Sequence, residues 1–335
     1  MVFREDKKDK RKIVKKCKQM KEQNADLSIC VPTYNHEKYI IQALDSIFMQ
    51  ETIYNYEVLV GEDCSTDRTR SVLKEYEAQR DDARLKVFYR NENMYGRDVD
   101  NFVDLYRRAK GKYIITLEGD DFWIDKEKIQ KQINFLENNK EYIAVAHRCQ
   151  VVDENGIPNG EEYRASSSLE YSISDFKAHI LPGQTASLMY RNIFKDKLID
   201  TSILEKGLVP GDRLIAFVLI CNGKVRCMKE VMSAYRHVVS GGSSFSANKN
   251  YDYSKVINWN RELLHYAHAN VGIEGIKAAE FVFGLEVIHG LRLGMTNWKS
   301  VMNDLLRIKY KIIFASDYIK YCAQKGLKGK KNEIY

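Results

Sequence analysis

The sequence predicts an α/β protein: a mostly parallel sheet covered on both faces by helices, followed by a C-terminal region of helices alone. Three observations predict it. Short apolar runs alternate with stretches of helical spacing from residue 27 to about residue 152, the pattern of a parallel sheet with crossover helices. Polar and acidic loops follow the first, second and fourth runs, where such a sheet binds its ligands. From about residue 250 onward only helical spacing is seen.

The elements follow in order. "LSICVPTYN" (27–35) is a strand ending in Pro and Asn, and "KYIIQALDSIFMQ" (38–50) is a helix with Ile40, Ala43, Leu44 and Ile47 on one face. Residues 56–61 form a second strand, followed by the loop "GEDCSTD" and a helix capped by Ser65, Thr66 or Asp67. "RLKVFYR" (84–90) is a third strand. A loop (91–96), a helix (98–109) and the strand "KYIITLE" (112–118) complete the alternation. Beyond residue 121 come the helix "KEKIQKQINFLENN", the strand "YIAVAHRCQVVD" and the turn "ENGIPNG". Further strands are expected near 186–190 and 225–235, with a helix at 212–221. The last helices are "YSKVINWNRELLHYAHAN", "GIKAAEFVFGLEVIHGLRLG" and "WKSVMNDLLRIKYKIIFASDYIKYCAQK".

The 335 residues suffice for roughly two domains. The expected divisions are a basic leader (1–25), an α/β domain (26–245) and a helical region (246–335). With 44% apolar and 30% charged residues, 4 Pro and 19 Gly, collagen-like and disordered classes are excluded. The charge of +7 sits at the two ends, which leaves the body mildly acidic and argues against nucleic-acid binding by the folded domain. The 7 Cys include no C-x-x-C pair, so neither a disulfide framework nor a zinc knuckle is spelled and a reduced compartment is expected. The leader is too charged for a secretion signal, and no apolar run is long enough to span a bilayer. The expected location is cytoplasmic, with peripheral contact at the inner face of the plasma membrane through the basic ends. In the C-terminal end, Leu305, Ile308, Ile312, Ile319 and Ala323 fall on one helical stripe among Arg307, Lys309, Lys311 and Lys320. Such a stripe either docks on an anionic membrane or packs on the domain.

The loops carry the chemistry. Asp63, placed early in its loop, is free of the capping duty expected of Asp67, and its carboxylate can accept the imide N–H of a uracil. Tyr34 in the neighbouring loop offers a stacking face. In "EGDD" (118–121) Glu118, Asp120 and Asp121 crowd a strand end around Gly119, a repulsion that a hard divalent cation relieves. Capping by Asp120 or Asp121 is the structural alternative. Neither a P-loop nor a dinucleotide fingerprint is present, so a metal is expected to hold phosphate. Asp212, in the turn "GLVPGD", presents a carboxylate immediately before a helix and reads as a catalytic base or an N-cap.

With these loops in this order, the chain resembles the family-2 glycosyltransferases of the GT-A fold over about residues 26–245. The resemblance rests on "LSICVPTYN", "GEDCSTD", "NMYG", "AKGKYI" and "EGDDFW", and further on "TASLMYRN", "PGDRLIAFVLICNGKV" and "MSAYRHVVSGGSS". It implies a nucleotide-sugar donor, with Pro32, Thr33 and Tyr34 around the nucleoside and Asp63 on the uracil. It implies Gly96 where the backbone approaches the nucleotide, with Arg97 assisting the diphosphate and Trp123 walling the donor. Asp120 becomes the main ligand of Mn²⁺ or Mg²⁺, with Glu118 through its longer arm, and His237 reaches the metal or the phosphates. Asp212 falls where the family places its catalytic base. The implied reaction is inverting transfer of a sugar, from UDP, to a hydroxyl of a saccharide or lipid-linked saccharide. A catalytically silent GT-A scaffold is the alternative.

Overall fold

The computed structural model describes residues 25–97, 99–196, 198–208, 210–238 and 252–327. The basic leader, the stretch 239–251 and the lysine-rich end after 327 lie outside the described residues. One eight-stranded sheet organises the chain. Its first strand, β1 (Leu27–Thr33), is buried along its whole length because it lies between β2 (Tyr56–Glu62) and β4 (Tyr113–Thr116), parallel to both. A strand flanked on both sides and covered on both faces reads as an unbroken apolar run, which is why "LSICVPT" does not alternate. Outside β2 lies β3 (Leu85–Tyr89), half-buried at the edge.

The other half of the sheet is mixed. Two further strands, β5 (Phe122–Trp123) and β6 (Tyr142–Val152), precede β7 (Met189–Arg191), which runs antiparallel between β4 and β6. The long β8 (Lys224–Arg236) pairs parallel with β6 and antiparallel with β5. The spatial order is therefore β3-β2-β1-β4-β7-β6-β8-β5. The sheet is mostly parallel as expected, with four of its seven pairings parallel, and the two-residue β5 is too short for any sequence period to announce.

Helices cover both faces. On one side α1 (Ile40–Phe48) and α2 (Thr69–Arg80) pack through Ile40, Ala43, Leu44, Ile47 and Leu73 against Leu27, Ile29 and Val31 of β1. Cys30, pointing the other way, joins the opposite core with Leu105 and Tyr106 of α3 (Asn101–Arg108). This alternation is the two-residue period of a strand. The first face also takes Ile129, Ile133 and Leu136 of α4 (Lys128–Asn138); the short α5 (Ile173–Lys177) and α6 (Gly211–Asn222) join the second. No described helix is long and apolar enough to cross a membrane.

The C-terminal helices α7 (Tyr253–Asn270), α8 (Ile273–Arg292), α9 (Trp298–Leu305) and α10 (Lys311–Leu327) share that second core. Leu263, Phe283 and Val287 are buried with Leu214 and Phe217 of α6. The final helical stretch is broken between α9 and α10. Buried Glu280 causes the break: its two carboxylate oxygens accept the backbone N–H groups of Lys309 (2.6 Å) and Tyr310 (3.0 Å). Those donors are satisfied from outside the helix, as at a helix N-terminus. The expected apolar stripe is divided accordingly, with Ile308 buried and Ile312 and Ile319 exposed.

Candidate active site

The loops after β1, β2 and β4 and the first turn of α6 meet at the C-terminal ends of the parallel strands. Pro32 and Thr33 are the last residues of β1, and half-buried Tyr34 follows. Asn35 sits at φ 57°, a conformation Asn tolerates, and its side-chain oxygen accepts the N–H of Thr66 at 2.8 Å. Thr69 takes the N–H of His36 through its hydroxyl (2.8 Å). These bonds lock the first loop to the second. Asp67 accepts from Thr69 and Glu37, and Arg68 rather than Asp67 occupies the N-cap of α2.

Asp63 is buried at the end of β2. Its N–H donates to Thr33 O (3.0 Å), and its Oδ1 accepts the N–H of Met94 (2.8 Å). Burial raises its pKa, opposed by the Met94 N–H and by Arg90. The carboxyl is thus held between the first loop and the loop 91–97. Gly96 in that loop adopts φ 73°, which suits glycine, while Arg97 is ion-paired with Glu92.

The acidic loop is built more tightly. The N–H of Gly119 donates to Pro32 O (3.0 Å), and a Cβ at this position would lie 2.6 Å from Thr33 Oγ1 and 2.8 Å from His36 Nδ1. Only glycine lets the two loops approach so closely. Asp121 is fully committed, its Oδ1 accepting from the Arg236 N–H (2.8 Å) and its Oδ2 from Gln184 Nε2 (2.7 Å). Arg236, buried, also donates to Asp120 O (2.8 Å), Glu154 O (2.8 Å) and Gln42 Oε1 (2.8 Å). Asp120 is left half-exposed with His36 Nε2 3.7 Å from its Oδ2. Glu118 lies beside it, and burial together with the charges of Asp120 and Asp212 pushes its pKa from 4.5 up to about 8. Burial also raises Asp212, whose Oδ1 accepts the Arg213 N–H (2.7 Å).

Aromatic side chains stand beside Asp212. Burial first, and then the charge of Asp212, push the Tyr163 hydroxyl far above its usual range. The rings of Tyr163 and Tyr235 meet edge to face at 5.4 Å, and Tyr235 stacks on His237. His237 is within hydrogen-bond distance of Glu161. Trp123 is a core residue, its indole N–H donating to Ala186 O (3.2 Å) with Lys128 Nζ 4.2 Å over its ring. The start of α6 is held from the C-terminal helices, since Trp259 of α7 donates its indole N–H to Pro210 O (3.2 Å).

Glu118, Asp120 and Asp212 therefore share one site, with Asp63 and Tyr34 in the adjoining loops, while Asp121 and Trp123 serve the scaffold. Among the described residues no group of three or more His, Cys, Asp and Glu forms a metal cage. The donor set still suits a cation bound largely by a ligand's own oxygens. Among the described residues no Lys or Arg side chain pairs with the Asp120 carboxylate, and Glu118 is crowded by like charge. Sequence reasoning missed His36, Gln184, Arg236 and Tyr163. His36 directly follows "PTYN" and Gln184 directly precedes "TASLMYRN", so proximity to a motif was the available signal for both. Tyr163 lies in a polar stretch without period.

Residues 28–196 match the model of glycosyl transferase family 2. The chain belongs to that family. Among its relatives, an uncharacterised protein of Mycobacterium tuberculosis is 30% identical over 215 residues, covering 64% of this chain and 60% of that protein. The matched region thus spans about three fifths of the mycobacterial relative. TuaG of Bacillus subtilis, named as a glycosyltransferase of teichuronic acid biosynthesis, is 28% identical over 229 residues, or 63% of this chain and 88% of TuaG. The structure of residues 1–349 of Staphylococcus aureus TarS in complex with UDP-GlcNAc superposes with a TM-score of 0.60 at 18% identity, covering 86% of this chain and 82% of that one. At that identity the likeness shows the fold. This family-2 member has the GT-A architecture that its motifs implied.

Proposed function

We propose that the protein is an inverting glycosyltransferase that moves a sugar from a nucleoside diphosphate, UDP, to a hydroxyl of a saccharide or lipid-linked saccharide in cell-surface polysaccharide synthesis. One observation carries the reading: Asp212, in the first turn of α6, meets Glu118 and Asp120 at the C-terminal ends of the parallel strands, close enough for its charge to bear on Glu118. A base and a diphosphate-binding loop on opposite sides of one site are what a single displacement needs. The UDP-GlcNAc in the TarS complex and the teichuronic acid biosynthesis in TuaG's name support the donor and acceptor classes.

The chain's own residues act as follows. Asp63 accepts a hydrogen bond from the uracil imide N–H, Tyr34 stacks on the base, and the Gly119 turn brings backbone close to the phosphates. Asp120, with Glu118 through water, would hold Mn²⁺ or Mg²⁺, which would offset the charge of the departing diphosphate. Asp212 takes the proton of the acceptor hydroxyl as its oxygen attacks the anomeric carbon, and a raised pKa makes it a stronger base than an exposed carboxylate. The Tyr163–Tyr235 pair beside it offers apolar ring faces to an acceptor sugar. The test is a panel of UDP-, GDP- and TDP-sugars with saccharide acceptors, scored for nucleotide release and product with and without Mn²⁺. Metal-stimulated transfer from a UDP-sugar with inverted anomeric configuration is expected. Release of no nucleotide from any donor would overturn the reading.

A further inference from the structure

We propose that the outer faces of α9 and α10 form a docking surface for an anionic lipid membrane. Both helices spend their inner faces on the protein. Val301 and Ile308 are buried, Phe314 packs on Phe281 and against Gly284, and Tyr321 meets the Phe281 ring edge-on at 6.1 Å. The opposite faces should then be polar, as on an ordinary surface helix. They are not. On α9, Trp298 is 69% exposed, and Met302 and Leu306, four and eight residues on, are exposed beside it. On α10, Ile312 is 87% and Ile319 68% exposed, and the exposed Ala315 and Ala323 complete the same stripe.

Charge is sorted around these stripes. The two acids between residues 298 and 323 turn inward, Asp304 to Arg261 at 2.7 Å and Asp317 to Lys177. Glu280, from α8, is buried under the break. Lys299, Lys309, Lys311 and Lys320 face solvent, as does Arg307, which also reaches Asp304 at 3.5 Å. An apolar stripe edged by cations and cleared of exposed acids is complementary to anionic headgroups above an acyl boundary. A second copy of the chain fits less well, because a two-fold contact would set these cations against themselves. Trp298 is also the residue type that settles at a membrane interface.

The sequence supplies its own probe. Trp123 and Trp259, 1% and 2% exposed, report on the core, whereas Trp298 reports on this face. The full chain is mixed with vesicles of phosphatidylcholine alone or with phosphatidylglycerol, and read by flotation and tryptophan emission. The anionic vesicles are expected to carry the protein and shift its emission to the blue, both effects falling at high salt and the shift vanishing in Trp298→Phe. Ile312→Glu with Ile319→Glu should lower the bound fraction at least about tenfold, with the thermal transition and UDP binding unchanged. Absence of binding by the wild type would overturn the proposal, as would equal binding by the double variant, which would place the contact elsewhere. A concentration-dependent dimer abolished by the same double variant, with no vesicle binding, would identify a second copy as the occupant. UDP binding is read in the same samples, so failure here and failure of the catalytic reading are separable.

Discussion

At the scale of single residues, the proposed base Asp212 gives the sharpest test. Asp212→Asn keeps the size and the acceptor for the Arg213 N–H but removes basicity, so transfer should fall by at least about 10²-fold while UDP binding is retained. Turnover near the wild-type value would remove Asp212 from the mechanism. Asp120→Ala should abolish the gain in UDP affinity that Mn²⁺ brings, whereas Glu118→Gln should lose only part of it; calorimetry of UDP with and without Mn²⁺ separates the two, and identical titrations would sink the metal assignment. Positions set by local pattern were legible before folding: Asp63, Asp120 and Asp212 lie at the strand ends and the helix start that the pattern marks. Residues that act through distant partners were not. Nothing near Arg236 announces that it holds Asp120 and Asp121, more than a hundred positions away.

At the scale of elements, α6 is a largely buried helix whose first turn carries Asp212, the proposed base, and whose anchor is the Trp259–Pro210 contact from α7. Trp259→Phe keeps most of the buried ring but deletes the donor, so kcat should drop several-fold with little change in donor KM. A loss confined to donor KM would show that α7 does not position the base. The seam between regions explains what the pattern concealed. Helices α7 and α8 were expected from their periodicity, but their supporting contact with the turn before Asp212 depends on tertiary approach. The division of the last helix is likewise invisible to spacing, because its cause, Glu280, comes from another helix.

For the whole molecule, the crowded acidic loop couples stability to pH. Glu118 has its pKa raised from 4.5 to about 8, so the folded state prefers the neutral acid. For a raised acid the associated stability is present below the unfolded value and is lost as pH rises through the folded one. With EDTA present, Glu118→Gln should therefore melt above the wild type by a few °C at pH 9, and the gap should narrow toward pH 5. A difference that does not vary with pH would mean that Glu118 ionises freely.

The pairing of β5 with β8 bears on how the molecule comes to be folded. Strands β1, β2 and β3 pair with neighbours in the chain, whereas β5 pairs with β8, Phe122 opposite Ala234, and the Arg236 N–H reaches the Asp121 carboxylate across 115 residues. Contacts of such separation carry a large loop-closure cost and form late. Refolding should then pass through a species with β1 and β2 ordered and the acidic loop still open, able to take a nucleoside and unable to transfer anything. Pulse-labelled amide exchange should show β1 and β2 protected before β8, and simultaneous protection would instead mean that the whole sheet condenses in one step.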